Sequence, residues 1–326
     1  SIDWVFIAMP VTVAAMRVIG NDRRPVLIFL TVGVIVSIYA IVQHFTGIDV
    51  VRPPGNNVVP PMEGVEGRYL AIGTFCHHLT YAHLYQFTFL FLFTFAARHQ
   101  SDGKSLLLIL SATILVGLSL VFSYSRGVWI SATICAILVV LVSRGKKGTV
   151  YTILSVVIML LILSADGSLG DRIKSVASQD ANAQRLIIFQ SNWDAIKDHP
   201  IIGIGPGRYQ ETMMPYYERY NPPDIMPRVH AHNNFMQVWL NAGLIGLAGF
   251  IWLNVAFLRL IWIHVKREKS RESRDGTILL AGFAGVLAFL ISGLTQYNLG
   301  DSEVAMTYWF VMGIALWVLE GREGIT

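Results

Sequence analysis

The chain has 326 residues, 54% of them hydrophobic and only 14% charged, with a mean hydropathy of +0.54 and a net charge of +4. Soluble domains carry about 25% charged residues, so these values exclude an ordinary soluble globular protein and predict an all-α, polytopic membrane helix bundle. The basic excess would suggest nucleic acid in a soluble chain; here it is expected in cytoplasmic loops, with the lipid bilayer and no nucleic acid as partner.

A hydrocarbon core of about 30 Å needs about 20 apolar residues per helix. About nine stretches qualify in chain order: 2–19, 25–45, 70–97, 105–121, 127–143, 150–165, 235–263, 277–298 and 303–320. The loops NDRR (21–24), RHQSDGK (98–104), SRGKKG (143–148) and HVKREKSRESR (264–274) are short and basic, and alternation puts them on one side with the tail GREG. The positive-inside rule makes that side cytoplasmic. The opposite side receives residues 46–69, the turn SYSRG (123–127), a long segment from about 166 to 232, and NLGDS (298–302). The expected divisions are a transmembrane bundle over 1–165, a periplasmic loop domain over 166–232 and C-terminal transmembrane helices over 233–326. An odd number of spans puts Ser1 outside, and the chain opens with neither methionine nor a charged leader; further N-terminal spans are expected to precede it. Cys76 and Cys135 both sit in apolar runs and read as small buried hydrophobes, not as a disulfide or metal pair.

The long outer segment has helical character. DANAQRLIIFQSNWDAIKDHP (180–200) reads as an amphipathic helix capped by Asp180 or Asn182, stopped by Pro200, with a stripe of Leu186, Ile187, Phe189, Trp193 and Ile196. The glycine turn IIGIGPGRY follows. It lacks the preceding buried strand and the Lys-Ser/Thr ending of a phosphate loop, so a structural turn is the better reading. A second short helix is expected over 208–220, then a stiff linker at Pro222, Pro223 and Pro227.

Several polar side chains stand where apolar ones would be cheaper. Arg68, Arg126 and Arg185 lie at the outer edges of apolar runs, where arginine acts either as an interface anchor or as a forked, permanently charged anion binder. His230 and His232 precede the seventh span, on one face if that segment is extended. A metal site completed by His77, His78 or His83 is a rival reading, but no recognised ligand spacing supports it, and no metal or cofactor is expected. The remaining alternative is a histidine satisfied by backbone carbonyls. Gln296 and Asn298, at the end of the eighth run, are the features that best fit a transporter.

The spacing of His232, Asn233, nine residues and then Gly243-Leu244-Ile245-Gly246 resembles the signature of the O-antigen ligase family, which includes O-antigen polymerases and bacterial O-oligosaccharyltransferases. DHPIIGIGPGRY, SRGVW and EGRYLAIGTFCHHLTYAHLY resemble three further segments of that family, in its order, over residues 68–250. The resemblance implies a glycosyltransferase of GT-C-like fold with about twelve spans, one large periplasmic loop, and a seat in the bacterial inner membrane. It implies a donor glycan on undecaprenyl pyrophosphate and a hydroxyl acceptor. The acceptor reading adopted is lipid A-core; a growing polymer or a protein is the alternative, and a transporter or flippase the second alternative. The catalytic set it implies is His232, Arg126 and Arg185. Arg68, Arg208, Asn233 and His230 are the further substrate-binding candidates.

Overall fold

The computed structural model describes residues 5–20, 22–52, 59–62, 65–98, 103–165, 179–220, 229–267 and 273–323, with backbone alone at 145–147, 149–165, 179–182 and 322–323. Among these residues there is no strand, only an isolated bridge between Pro61 and Tyr69. The helices are α1 (Ala8–Ile19), α2 (Arg24–Thr46), α3 (His78–Arg98), α4 (Gly103–Phe122), α5 (Arg126–Ala165), α6 (Gln179–Asp198), α7 (Tyr209–Glu218), α8 (Asn234–Arg267), α9 (Arg274–Ser292) and α10 (Ser302–Glu323). A 3-10 turn precedes α1 and another, Asn298–Gly300, precedes α10. The all-helical membrane bundle expected from composition is the architecture observed.

Among the described residues, six helical stretches are long and apolar enough to cross a membrane: α2, α4, Arg126–Arg144 of α5, α8, α9 and Ser302–Gly321 of α10. The expected spans are altered in three ways. The first is a shorter apolar helix, Val5–Ile19. The expected spans 127–143 and 150–165 belong to one helix that runs through the basic turn SRGKKG, because lysine and arginine propagate a helix almost as well as alanine. The third, α3, carries His83, Gln86, Thr88 and Thr94, all buried, and is not among the six. Two of its polar side chains reach neighbouring helices: Gln86 donates to Ser292 Oγ (3.3 Å) and accepts from Ser131 Oγ (3.1 Å), and Tyr81 donates to Ser119 Oγ at 2.7 Å, while His83 and Thr94 turn back to the Leu79 and Leu90 carbonyls of α3 itself. A helix sealed by protein can hold side chains that lipid would reject.

The chain divides into two compact units. One comprises Ile2–Val156, Leu258–Ser292 and Asp301–Thr326. Within it α3 packs on α4 and α9, α1 and α9 pack on α10, and α2 packs on α4. Its two ends sort the loops. At one end Arg23 pairs with Asp275 at 2.6 Å, Arg17 pairs with Glu320 at 2.6 Å, and Arg144 donates to the carbonyl of Ala97 at 2.8 Å. At the other, Thr80 donates to Asp301 at 2.8 Å, His78 meets the carbonyl of Ser123 at 2.7 Å, and Ala71 N–H donates to Phe122 O at 2.9 Å. The residues paired at the first end lie in or beside the stretches that the alternation placed together as the basic set.

The other unit comprises Val157–Phe257 and Gly293–Gly300. Its core is Ile188, Ala195 and Ile196 of α6, Tyr209, Met213, Tyr216 and Tyr217 of α7, and Met236 and Leu240 of α8, with Ile204 and Ala231 between. The buried tyrosines are satisfied: Tyr209 donates to Asn192 Oδ1 (2.8 Å), the Tyr209 and Tyr217 hydroxyls share a hydrogen bond (2.8 Å), and Tyr216 donates to Asp198 (2.9 Å). The expected stripe on α6 is only partly inward. Ile196 is buried and Ile187 half-buried, but Leu186, Phe189 and Trp193 are exposed. The expected cap at Asp180 or Asn182 and the prolines at 222, 223 and 227 fall outside the described side chains.

Candidate active site

Two glycines fix where the histidines stand. Helix α8 breaks at Gly243, whose φ of 67° and ψ of −169° no helix contains. The turn after α6 docks into the break: Leu244 N–H donates to Pro200 O (2.9 Å), Ile204 N–H to Leu240 O (2.6 Å), and Trp239 Nε1–H to Pro200 O (2.9 Å). Backbone meets backbone so closely that a Cβ on Gly243 would lie 1.9 Å from Ile201 O, and one on Gly203 2.4 Å from Leu240 O. The two glycine segments noted in the sequence are therefore halves of one joint, and IIGIG is a structural turn, as its sequence suggested.

From that joint, α8 runs back to its N-terminus. Asn233 caps it: its Oδ1 accepts from the N–H groups of Phe235 (2.8 Å) and Met236 (3.0 Å). The same side chain donates to Leu294 O at 2.9 Å. Asn234 is buried; its N–H donates to Gly293 O at 2.7 Å, its amide donates to Asn298 Oδ1, and its Oδ1 accepts from Leu299 N–H at 3.2 Å. The segment 293–300 is thus laced to the two asparagines. The asparagine that looked like a substrate contact uses its amide as a helix cap and a strut.

His232 sits in the left-handed region, φ 49°, a conformation that costs a non-glycine residue energy and tends to persist where function needs it. Its N–H donates to His230 Nδ1 (3.1 Å), which fixes the unprotonated nitrogen of that ring. Its own Nδ1 meets Gln296 Oε1 at 3.0 Å. The amide oxygen can only accept, so Nδ1 carries the proton and Nε2 is left with its lone pair. Among the described residues Nε2 has no hydrogen-bond partner. Burial pushes the imidazole below its ordinary pKa; the positive charge of Arg185 adds to this, and the contact with Gln296 opposes it. Arg185, exposed on α6, makes no hydrogen bond or ion pair among the described residues. His230 also packs against the Tyr297 ring, with centroids 5.7 Å apart.

Of the predicted site residues, this unit therefore brings together His232, His230, Asn233 and Arg185. Arg208 belongs to the same unit, exposed immediately before α7, and no hydrogen bond joins it to the histidines. Arg126 and Arg68 belong to the other unit. Arg126 is the exposed first residue of α5, reached through a tight turn at Tyr124 (φ 54°). Arg68 lies over the Phe45 ring at 4.8 Å and donates to Gly67 O at 3.3 Å. His78 and His83 both face backbone carbonyls, at 2.7 Å each. Gln296 was read from sequence only as a sign of transport. What could have flagged its role is an isolated amide at the end of an apolar run, in a chain whose key histidine needs an acceptor.

Residues 111–251 match the family model described as O-Antigen ligase. That segment contains Arg126, Arg185, Gly203, His232 and Gly243, and the matching family is the one the motifs resemble. A protein of Rickettsia prowazekii (strain Madrid E) named "Putative polysaccharide ligase RP358" is 31% identical over 149 residues, 45% of this chain and 33% of its own. Proteins of Rickettsia conorii ("Putative polysaccharide ligase RC0486") and Rickettsia felis ("Putative polysaccharide ligase") are 29% and 28% identical, over 45% of this chain and 32% and 33% of theirs. The match thus covers about a third of the length of these curated relatives. Together with the six apolar helices found among the described residues, the matches show a multi-pass membrane type of chain that carries a segment similar to the O-antigen ligase family.

Proposed function

We propose that the protein is a glycosyltransferase of the bacterial inner membrane that works on the periplasmic side. It moves a glycan from undecaprenyl pyrophosphate to an acceptor hydroxyl, with lipid A-core as acceptor. The carrying observation is one imidazole with Nδ1 held by Gln296, Nε2 open, and an uncompensated guanidinium acting on it. In the reaction the acceptor oxygen attacks the anomeric carbon and its proton passes to His232 Nε2. The bond from that carbon to the phosphate oxygen breaks, and its electron pair leaves on the pyrophosphate. Attack opposite the leaving group inverts the anomeric centre. Arg185 and Arg126 bind the diphosphate and stabilise its growing charge; Arg126 stands at the start of α5, the end of a helix whose dipole favours an anion. Arg68, Arg208 and His230 contact the substrates, and Asn233 positions His232 through the cap. The charge stabilisation comes from guanidinium groups, so no metal is required. Gln296 and Asn298, which had favoured transport, are tied to the ligase motif.

The test is transfer by the purified full-length protein from a lipid-linked glycan to lipid A-core, with chelator present. Transfer is expected to persist with chelator and to fall at least about 10²-fold in Arg185→Ala, with Arg185→Lys recovering little because an ammonium lacks the fork. Metal-dependent transfer, or full activity in Arg185→Ala, removes this mechanism. A second expectation concerns Gln296. Gln296→Glu sets a carboxylate 3.0 Å from Nδ1, which favours imidazolium and raises its pKa. The acidic limb of the rate–pH profile should move to higher pH, with the rate at alkaline pH largely kept. An unshifted limb means that His232 is not the titrating base.

A further inference from the structure

The outward face of α6 is apolar. While Ile188, Ala195 and Ile196 enter the core, Leu186, Phe189 and Trp193 recur at helical spacing on a neighbouring face and are 55%, 53% and 41% exposed. At the end of α6 the docked turn exposes Ile201 and Ile202, the latter at 79%. This surface continues onto α8. Trp193 meets Trp239 edge-to-face at 5.9 Å, and Ile201 abuts Gly243, beyond which Ile245 is 71% exposed. Because α8 is long and apolar enough to cross a membrane, the exposed apolar side chains beyond its kink are the ones suited to face lipid. A contiguous apolar surface of this kind on a soluble loop domain would be an aggregation hazard. Next to a span, it is the pattern of an interfacial helix with a tryptophan at headgroup level.

We propose that α6 and the turn at Ile201–Ile202 are seated in the bilayer interface, with Leu186, Phe189, Trp193 and Ile202 inserted among the lipid chains beside α8. The polar residues of α6 support this orientation. Asp194 and Asp198 are turned away from the stripe and engaged by Tyr220 (2.6 Å) and Tyr216 (2.9 Å) of the loop domain itself. Seating also has a consequence for the site. Arg185 directly precedes Leu186, so its guanidinium is held at the depth of lipid phosphates, where a lipid-linked diphosphate would present its charge. That consequence rests on the proposed function; the seating does not.

The experiment is collision-accessibility electron paramagnetic resonance on the full chain, reconstituted in phosphatidylethanolamine–phosphatidylglycerol vesicles. Nitroxides are placed singly by Phe189→Cys, Trp193→Cys and Ile202→Cys, with Glu211→Cys, exposed on α7, as the polar-surface control, on a background of Cys76→Ser and Cys135→Ala. The three apolar sites are expected to collide with oxygen several-fold more, relative to a water-soluble nickel chelate, than Glu211→Cys does. Ratios equal to the control overturn the proposal. So does shielding from both reagents, which would mean a protein covers the face, and so does an apolar signature that appears only when lipid-linked glycan is added, which would make the occupant the carrier's tail. All three sites lie outside the protein core, so cysteine there leaves the core intact, and the readout needs no transfer activity.

Discussion

His232→Ala is expected to abolish measurable transfer, with a loss of about 10²–10⁴-fold in kcat, or about 3–5.5 kcal/mol of transition-state stabilisation. The expected size follows from the role. A general base contributes only when charge moves, so the donor glycan should still bind and KM should change little. The pH profile carries a second sign. Burial and the neighbouring guanidinium hold the imidazole below its ordinary pKa, so the neutral, proton-accepting form predominates to lower pH than for a solvated histidine. Wild-type transfer should therefore rise with pH along a limb set below the ordinary histidine range and then level off. The alanine variant should lose that limb. His232→Gln is the sharper companion, since it keeps an acceptor and similar volume but cannot take up the proton; it should be nearly as inactive. Near-normal turnover in His232→Gln would assign the histidine to binding or structure and refute the base role.

Much of the fold was legible because lipid imposes a simple rule: long apolar helices separated by loops that sort by charge. The ends of α2, α4, α8 and α10 fall within a few residues of the runs read from sequence. Legibility failed where protein replaces lipid as the neighbour. Helix α3 looked like an ordinary span, yet Gln86 sits inside a net of serines from two other helices. SRGKKG looked like a loop because it is polar, but polarity does not end a helix; the hydrogen-bond ladder continues through it. On α6, periodicity identified an amphipathic helix but could not distinguish a stripe that enters a protein core from one that faces outward. Both are apolar at the same spacing, and only Ile188, Ala195 and Ile196 turn inward.

The candidate site was legible in its ends and not in its supports. His232 and Arg185 stood out because a titratable ring and a guanidinium are costly beside apolar runs. Asn233 stood out too, but its position at the start of a helix should have suggested a cap before a substrate contact, since asparagine is among the preferred capping residues. The partnership between His232 and Gln296 spans 64 residues. Nothing in local spacing announces such a contact; it exists because the segment 293–300 is laced to Asn233 and Asn234.

Gly243→Ala is expected to be the most disruptive single methyl group that can be added to the loop unit. Two penalties coincide. A φ of 67° with ψ of −169° belongs to a region open essentially to glycine alone and costs about 1–3 kcal/mol for any other residue. In addition, the new Cβ would lie 1.9 Å from Ile201 O and 2.2 Å from Ile201 C, backbone atoms that can retreat only if the turn undocks. Undocking sacrifices the three hydrogen bonds from Leu244, Ile204 and Trp239, at about 1 kcal/mol each. The total is about 4–6 kcal/mol, enough to unseat the turn. Gly203→Ala attacks the same joint from the other side, so the double variant should cost much less than the sum of the singles. Gly249→Ala is the control: it lies in the helix with nothing within 4 Å of its added methyl and should be neutral or slightly stabilising. Thermal unfolding and limited proteolysis of the full chain in lipid nanodiscs would report the cost, and transfer should fall in parallel. The fixed spacing of nine residues explains why. From Asn233 to Gly243 the helix rises about 15 Å, so the joint sets how far the capped end, and with it His232, stands from the docked turn. Melting and proteolysis unchanged in Gly243→Ala would mean that the turn does not rest on the helix, and the spacing in the motif would then need another cause.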